Sequence, residues 1–530
     1  MPSLSNRFSQ LIEALNNDAS FSALRGIKHG VEREALRITP EGHLSQSKHP
    51  EGLGAALTHD TITTDFSEAL LEFITPPEAS PKTTIAQLSD IHKFALSEMG
   101  DEALWPMSMP CYVTGESQIR IADYGTSNVG RMKKTYRVGL KNRYGSMMQA
   151  IAGIHFNFSL PEEFWSLWAD VNQQSYSQAF QSQQYFDLIR NYRRWCWLIP
   201  FLYGASPAIC GSFLKGKAHK LPFQTIGKGT LYLPFATSLR MSDLGYTNSQ
   251  QSALHICYNR LPDYVKSVRK AINTDSSEYA QYAVGENGIY EQLNRNILQI
   301  ENELYSPIRP KQVARSMEKP TDALEDRGVS YIEVRALDVN PYSAVGIEER
   351  QFYFLDVFLL TCLIIESPDF DEQSYSETET NLSRVVLEGR NPGLTLIHRD
   401  ASDNVHEQRL VDWAERLFEH FAAVAVILDK ANQTEAYSQA VAAERLKVHN
   451  PNLTPSGMWL KQLLEEQRDN GELGLSLSKQ YRQELLSLEY EELDVDYFRR
   501  AATDSVAQQQ QIEASDEKPF DQFLNDYFAQ

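Results

Sequence analysis

The stretch Gly30-Val31-Glu32-Arg33-Glu34-Ala35-Leu36-Arg37 alternates side-chain character every second residue, the period of a β-strand. In that conformation Glu32 and Glu34 share one face, about 7 Å apart, while Arg33 and Arg37 point to the other. Two carboxylates on one face repel unless a cation lies between them, so the segment reads as part of a metal site. A solvated strand edge of alternating charge fits it equally well.

Three further segments supply partners. In Leu70-Leu71-Glu72-Phe73-Ile74 a carboxylate sits inside an apolar run, where it is costly unless paired with an arginine or bound to metal. Asp65 lies just upstream, at the start of that strand or in the loop before it. Gly153 to Leu160 places Ile154, Phe156 and Phe158 on one face and His155, Asn157 and Ser159 on the other. A lone strand histidine is more often a hydrogen-bonded structural residue than a ligand. In Tyr331 to Leu337, Glu333 and Arg335 share a face, as an ion pair within the strand or as a metal ligand beside a phosphoryl-binding guanidinium. Together these are oxygen ligands on several strands, one imidazole and neighbouring arginines. The set suits Mg²⁺ or Mn²⁺ and phosphoryl chemistry better than zinc.

Working outward, short alternating runs from Lys28 to Pro77 predict strands, and Ile85 to Met99 predicts an amphipathic helix. Further strands are expected at Ile151 to Leu160, Gly229 to Ala236, Ile297 to Tyr305 and Val329 to Asp338. Helical stretches fall near 162–203, 261–273 and 347–365, and Phe8, Leu11, Ile12 and Leu15 mark an N-terminal helix. Strands and helices do not alternate regularly, which favours an α+β fold on a mostly antiparallel sheet over a doubly wound one. Strand signals fade after about residue 380, and helical patterns dominate from Glu407. The expected division is a core over 1–400 and an acidic, mainly helical lobe over 401–530, packed on the core or continuous with it. Within that lobe residues 463–530 carry a net charge of −10, which reads as a solvated helical face.

Fifty basic and seventy acidic side chains leave the 530-residue chain at −20, which argues against general binding to nucleic acid or anionic membranes. Cys111, Cys196, Cys210, Cys257 and Cys362 are widely spaced, with no CxxC, so a reducing cytoplasm is expected rather than a disulfide framework. Trp195 to Leu214 is interrupted by Pro200, Gly204 and Pro207, and Phe352 to Ile365 is short and contains Asp356; both read as buried helices, not membrane spans. Arg131 to Arg143 holds six cationic side chains and no acidic one. Nucleotide phosphates, a substrate carboxylate or the acidic C-terminal lobe would each satisfy it. No P-loop or GxGxxG motif is present.

Read in order, GVEREALRI (30–38), LTHDTITTDFSEALLEFITP (57–76), WPMSMPCY (105–112), YGTSNVGRMKKTYRVGLKNRYG (124–145), GIHFNFSLP (153–161), ATSLRMSDLGYTN (236–248), the first half of 298–315 and YIEVRALDVNPYS (331–343) resemble the proteobacterial glutamate–cysteine ligases. Those enzymes are similar in catalytic fold to glutamine synthetase. The resemblance implies a curved antiparallel sheet with flanking helices, and ATP-dependent joining of the L-glutamate γ-carboxylate to the amine of L-cysteine. It implies two or three Mg²⁺ ions, Mn²⁺ being an alternative, on Glu32, Glu34, Asp65, Glu72, His155 and Glu333. Of these, Glu32, His155 and Glu333 would surround the ion bridging the nucleotide phosphates. Arg335, Arg137 and Arg240 would hold the transferring phosphoryl group or glutamate. Phe66, Tyr136, Gln149, Tyr246 and Tyr305 would form the cysteine pocket. A monomer acting only on small molecules is expected. Competing readings are a ligase using another amine and a non-catalytic metal or nucleotide sensor.

Overall fold

The computed structural model describes residues 6–215, 219–245, 254–400 and 404–529. Helices α1 (Asn6–Ala14) and α2 (Asp18–Leu24) lead into strands β1 (Lys28–Ile38), β2 (Ile62–Thr64) and β3 (Leu70–Ile74). Helix α3 (Pro81–Glu98), β4 (Ala103–Leu104), α4 (Asn128–Tyr144) and β5 (Ile154–Ser159) follow. The middle of the chain holds α5 (Glu162–Val171), α6 (Gln178–Trp195), α7 (Leu198–Tyr203), β6 (Ala208–Cys210), β7 (Gln224–Ile226), β8 (Thr230–Tyr232) and α8 (Leu261–Ile272). Then come β9 (Ile308–Lys311), α9 (Pro320–Arg327), β10 (Tyr331–Leu337), α10 (Glu349–Ile364), α11 (Glu372–Glu388), β11 (Thr395–Arg399) and β12 (Val405–Arg409). The remainder is helical: α12 (Leu410–Asn432), α13 (Ala436–His449), α14 (Pro455–Glu466), α15 (Asn470–Ser487), α16 (Val495–Ser515) and α17 (Phe520–Ala529).

The principal sheet is antiparallel in the order β2-β3-β1-β5-β10-β9, with β4 pairing the far end of β1. β1 is therefore interior, which rules out the solvated-edge reading of Glu32 and Glu34. One face is apolar: Val31 lies opposite Phe156, and the Phe156 ring meets Phe352 of α10 edge-on at 5.2 Å. Arg33 and Arg37 point to that same side and are fully buried there. Arg33 donates to the Trp105 carbonyl at 3.3 Å, and Arg37 pairs with Glu102 at 2.8 Å. The opposite face carries the carboxylates.

One hydrophobic cluster runs from Phe8 to Phe498 and crosses residue 400, for instance where Trp197 packs on Trp413 and Phe354 on Phe421. No helix among the described residues is long and apolar enough to cross a membrane.

Two expectations are corrected. Ile297 to Tyr305 is not a strand but bends and a short 3₁₀ turn at Glu301–Glu303; the outer strand comes later, at Ile308–Lys311. Helix does not begin at Glu407 either, because residues 395–409 form the hairpin β11–β12 and α12 starts at Leu410.

Candidate active site

Strand register assembles the polar face. Glu34 lies directly opposite Glu72 across β1 and β3, and Glu32 opposite His155 across β1 and β5. Glu333 is opposite Asn157 on one side and Arg309 on the other. His155 Nδ1 lies 3.0 Å from Glu32 Oε2 and 3.7 Å from Glu333 Oε1, and its Nε2 lies 3.5 Å from Glu34 Oε1. Asn157 donates to Glu32 Oε1 at 3.0 Å, and the Gly153 amide donates to Glu34 Oε2 at 2.7 Å. Glu32, Glu72 and His155 each offer a ligand atom, all within 4.8 Å of one another. Such a set of hard oxygens and one imidazole fits Mg²⁺ or Mn²⁺.

Cations crowd the β9–β10 end. Glu333 Oε1 pairs with Arg335 at 3.1 Å and with Lys311 at 3.5 Å, while its Oε2 is buried without a protein partner. The register of β10 shifts between Val334 and Leu337, the kind of irregularity that redirects a side chain, and Arg335 lies inside it. Beneath them Arg240, almost wholly buried, donates to the Arg335 carbonyl at 3.0 Å. It fits because residue 153 is glycine: a β-carbon there would overlap the guanidinium.

Helix α4 closes another wall. Ser127 caps its first turn by accepting from the Gly130 amide, and Lys133, Tyr136, Arg137 and Leu140 recur at helical spacing toward the cavity. Arg137 donates to the Asp65 carbonyl and lies over the Tyr124 ring at 4.6 Å. The cationic run noted in the sequence thus divides its work. Lys133 and Arg137 face the cavity, Lys134 pairs with Asp123, and Arg143 is buried against Glu303 and Gln292.

The charges are unevenly balanced. Burial, then repulsion from Glu32, Asp65 and Glu34, pushes the Glu72 carboxyl well above its ordinary range, and burial also raises Glu34. At Glu333 burial acts upward too, but Lys311, Arg335 and His155 outweigh it and hold the group well below the usual range. At Glu32 burial and Glu333 are overcome by His155 and Lys311, leaving the group lowered. The β9–β10 half of the face is therefore neutralised by the protein itself. In the Glu34–Glu72 half, His155, Arg240, Arg335 and Arg137 do not offset burial and repulsion, and both carboxyls stay raised. Burial, with Arg137 next, lowers Lys133 to about 8.

These side chains line one cavity of about 430 Å³. It brings together Glu32, Glu34, Asp65, Glu72, His155, Glu333, Arg137, Arg240, Arg335, Phe66, Tyr136, Gln149 and Tyr305. Tyr246 lies outside the described residues. At the aromatic end Gln149 donates to the Tyr305 hydroxyl at 3.0 Å, and Tyr144 meets the Tyr305 ring at 6.2 Å. Sequence reasoning missed Lys133, Arg309 and Lys311 as cavity residues. Each had a signal within reach, Lys133 in the cationic run of α4 and Arg309 with Lys311 as an alternating cationic pair on one strand, but none was singled out. Glu301, by contrast, faces away from the cavity and accepts from the Thr321 amide at 2.7 Å.

Fold and cavity together place carboxylates, an imidazole and a row of cations on the polar face of one antiparallel sheet, an arrangement of the kind that enzymes of phosphoryl chemistry use. The family model for glutamate-cysteine ligase matches residues 12–385. A glutamate–cysteine ligase of Shewanella halifaxensis is 48% identical over 98% of this chain and 99% of its own, and one from Proteus mirabilis is 46% identical over 96% and 95%. The crystal structure of the Francisella tularensis glutamate–cysteine ligase in complex with AMP aligns with a TM-score of 0.87 and 38% identity, covering 95% of this chain and 97% of that one. A bifunctional glutathione synthetase from Pasteurella multocida shares the fold at 22% identity over 53% of its length, with a TM-score of 0.65. The chain belongs to the glutamate–cysteine ligase family and is a ligase.

Proposed function

We propose that the chain joins the γ-carboxylate of L-glutamate to the amine of L-cysteine, converting ATP to ADP and phosphate through γ-glutamyl phosphate, the first step of glutathione biosynthesis. The observation that carries this is the union, in one cavity, of a carboxylate–imidazole face, a row of cations and an aromatic end. A carboxylate is a poor electrophile, and phosphorylation gives it a leaving group that an amine can displace. The reaction requires several anions to meet, so charge stabilisation and positioning are what the protein has to supply.

In this reading Glu32, Glu34, Asp65, Glu72, His155 and Glu333 hold two or three Mg²⁺ ions, for which Mn²⁺ can substitute. When bound, the ions neutralise phosphate charge and the repulsion among these carboxylates. Arg335 and Arg240, fixed to each other through the Arg335 carbonyl, bracket the phosphoryl group, with Arg137 and Lys133 approaching from α4. The buried Glu333–Lys311 and Glu333–Arg335 pairs keep both cations oriented before substrate arrives. Phe66, Tyr136, Gln149, Tyr246 and Tyr305 receive cysteine and exclude water from the reacting acyl group. The five cysteines of the chain are free thiols, and none lines the cavity.

We take the working form as a cytoplasmic monomer with a catalytic core over 1–400 and an acidic lobe packed on it. Amine-dependent ADP release with L-glutamate, compared across L-cysteine, 2-aminobutyrate and polyamines, tests the acceptor. Preference for cysteine-like amines is expected, and its absence rejects this reading in favour of a ligase with another acceptor. Glu32→Ala and Glu333→Gln test the polar face: turnover surviving both would exclude it as the phosphoryl-transfer centre.

A further inference from the structure

The acidic end of the chain is not merely a solvated face. From the last turn of α16, the segment from Glu513 to Ala529 crosses the start of α4 and holds it and the neighbouring Tyr290–Leu293 stretch by contacts of three kinds. Its acids meet backbone amides: Glu513 accepts from the Thr126 amide at 2.8 Å, and Asp516 from the Asn128 amide at the helix start. The Phe520 ring lies 4.1 Å from the Arg131 guanidinium, a cation–π contact, and Asp521 accepts from the Tyr290 hydroxyl at 2.5 Å. Finally, Phe520 and Leu524 bury themselves with Met132 and Leu293 in a small hydrophobic cluster of their own. Gly125 adds a steric sign of close approach, since a β-carbon there would overlap Glu513 and Gln509.

The consequence lies on the other side of that cluster. Tyr136 and Ile300 pack against it and also line the cavity. Tyr136 belongs to α4, and Ile300 to the segment between Leu293 and Glu303. Neither wall is part of the principal sheet; they are joined directly by Arg143, which reaches Gln292, Asn294 and Glu303, and by Gln299, which donates to the Tyr136 carbonyl at 3.3 Å, and α17 adds a second clasp nearer the start of α4. Phe520 meets Arg131 on one side and the Tyr290 ring, edge-on at 5.1 Å, on the other, and Leu524 joins the same cluster.

We propose that the C-terminal helix is a positioning element for the acceptor end of the cavity, with Phe520 and Leu524 as positioning residues acting through Met132, Tyr136 and Ile300. This rests on the ligase reading above. The carboxylates of the sheet's polar face do not pack on α17, whereas Tyr136 does, so the effect is expected to fall mainly on the acceptor, with a smaller one on ATP through Lys133 and Arg137 of the same helix.

The test compares the full-length enzyme with Phe520→Ala, Phe520→Leu and a chain ending at Ser515. Steady-state kinetics are run for each substrate, together with hydrogen exchange of the 128–144 and 291–303 segments. For Phe520→Ala and the truncated chain, the KM for L-cysteine is expected to rise roughly ten-fold, with the KM for ATP within about two-fold of wild type. Both segments lose exchange protection, and Phe520→Leu restores most of each effect. An unchanged cysteine KM with unchanged protection overturns the proposal. So does an equal rise in KM for all three substrates, which would mark a general loss of structure. If wild type forms no γ-glutamylcysteine, the ligase reading fails, whereas the exchange experiment still decides whether α17 holds the two walls.

Discussion

Replacing Glu72 by Gln should stabilise the metal-free protein and remove most of its response to Mg²⁺. Glu72 lies opposite Glu34 in the strand register, and its ligand oxygen stands within 4.8 Å of those of Glu32 and His155. Two unit charges at that separation repel by about 3 kcal/mol at an effective dielectric constant of about 20. Burial and the neighbouring carboxylates raise the folded-state pKa of Glu72 above its unfolded value. The folded protein therefore binds the extra proton, and stability falls as pH rises from the unfolded pKa through the folded one. Glutamine does not titrate, so its advantage is absent near pH 4, grows through that window and is largest on the alkaline side. Unfolding entropy of about 2.1 cal/mol/K per residue over 530 residues amounts to roughly 1.1 kcal/mol/K, so the full effect is about 3 °C in Tm. Scanning fluorimetry at pH 8, with EDTA and then with millimolar Mg²⁺, reads it directly. Glu72→Gln should melt above wild type in EDTA and below it in Mg²⁺. A variant that melts lower in EDTA, or keeps the full Mg²⁺ shift, would refute the claim that this half of the face is held in repulsion for a cation.

Three further outcomes follow from individual contacts. Gly153→Ala displaces Arg240, and kcat/KM should drop by roughly 100-fold with the far-ultraviolet circular dichroism unchanged; wild-type turnover would show that the Arg240 position is unimportant. Arg335→Lys keeps the charge but loses the planar fork, so kcat should fall by about 100-fold while the KM for L-cysteine moves little, and a change in KM alone would assign Arg335 to the acceptor instead. His92 is buried against Phe73 with Nδ1 donating to the Leu88 carbonyl at 2.7 Å, and burial, then Arg33, holds its pKa well below the usual value. Its contribution is complete above pH 6.5 and is lost as pH falls toward the folded pKa, because the unfolded chain takes a proton that the folded one refuses. Denaturant titrations of His92→Gln should show a pH slope shallower by up to about 1.4 kcal/mol per unit below pH 6.5, and an identical slope would exclude His92 as a source of acid lability.

Much of the sheet was legible because its strands obey the period of two. Alternation put Glu32 with Glu34, His155 with Asn157, and Glu333 with Arg335 on common faces; the register bears out the first two, while Glu333 and Arg335 meet as an ion pair at 3.1 Å beside an irregular stretch of β10. The failure at Ile297 to Tyr305 has a physical origin. The apolar residues there alternate well, but Glu303 turns back to accept from the Gln299 amide at 2.7 Å, using backbone that a strand would have paired. The true strand, Ile308–Lys311, contains Pro310, which argues against a central strand but is tolerated at the edge position it occupies. Helix α4 was read only as a cationic run, since Gly130 and Gly139 weaken its helical signature. Gly139 is nonetheless needed, because a β-carbon there would overlap the Gln299 side chain.

What one strand at a time cannot disclose is which half of the polar face the protein neutralises for itself. Lys311 reaches Glu333, and Arg309 comes to lie opposite it, only because β9 pairs with β10 in this register, and a one-residue slip would turn both cations to the other side of the sheet. With that register the cations hold the Glu333 carboxyl well below its usual range, whereas at Glu34 and Glu72, which confront each other across β1 and β3, His155, Arg240, Arg335 and Arg137 do not offset burial and mutual repulsion. On the proposed function the two ends take different parts: a pre-formed cationic end for phosphoryl oxygens, and an acidic end whose occupancy by cations would be coupled to the stability of the strands that carry it. Removing Lys311 should accordingly shift Glu333 toward the behaviour of Glu72, making Lys311→Met more dependent on Mg²⁺ for its thermal stability than wild type. An unaltered Mg²⁺ dependence in that variant would mean that the division between the two ends has no energetic weight.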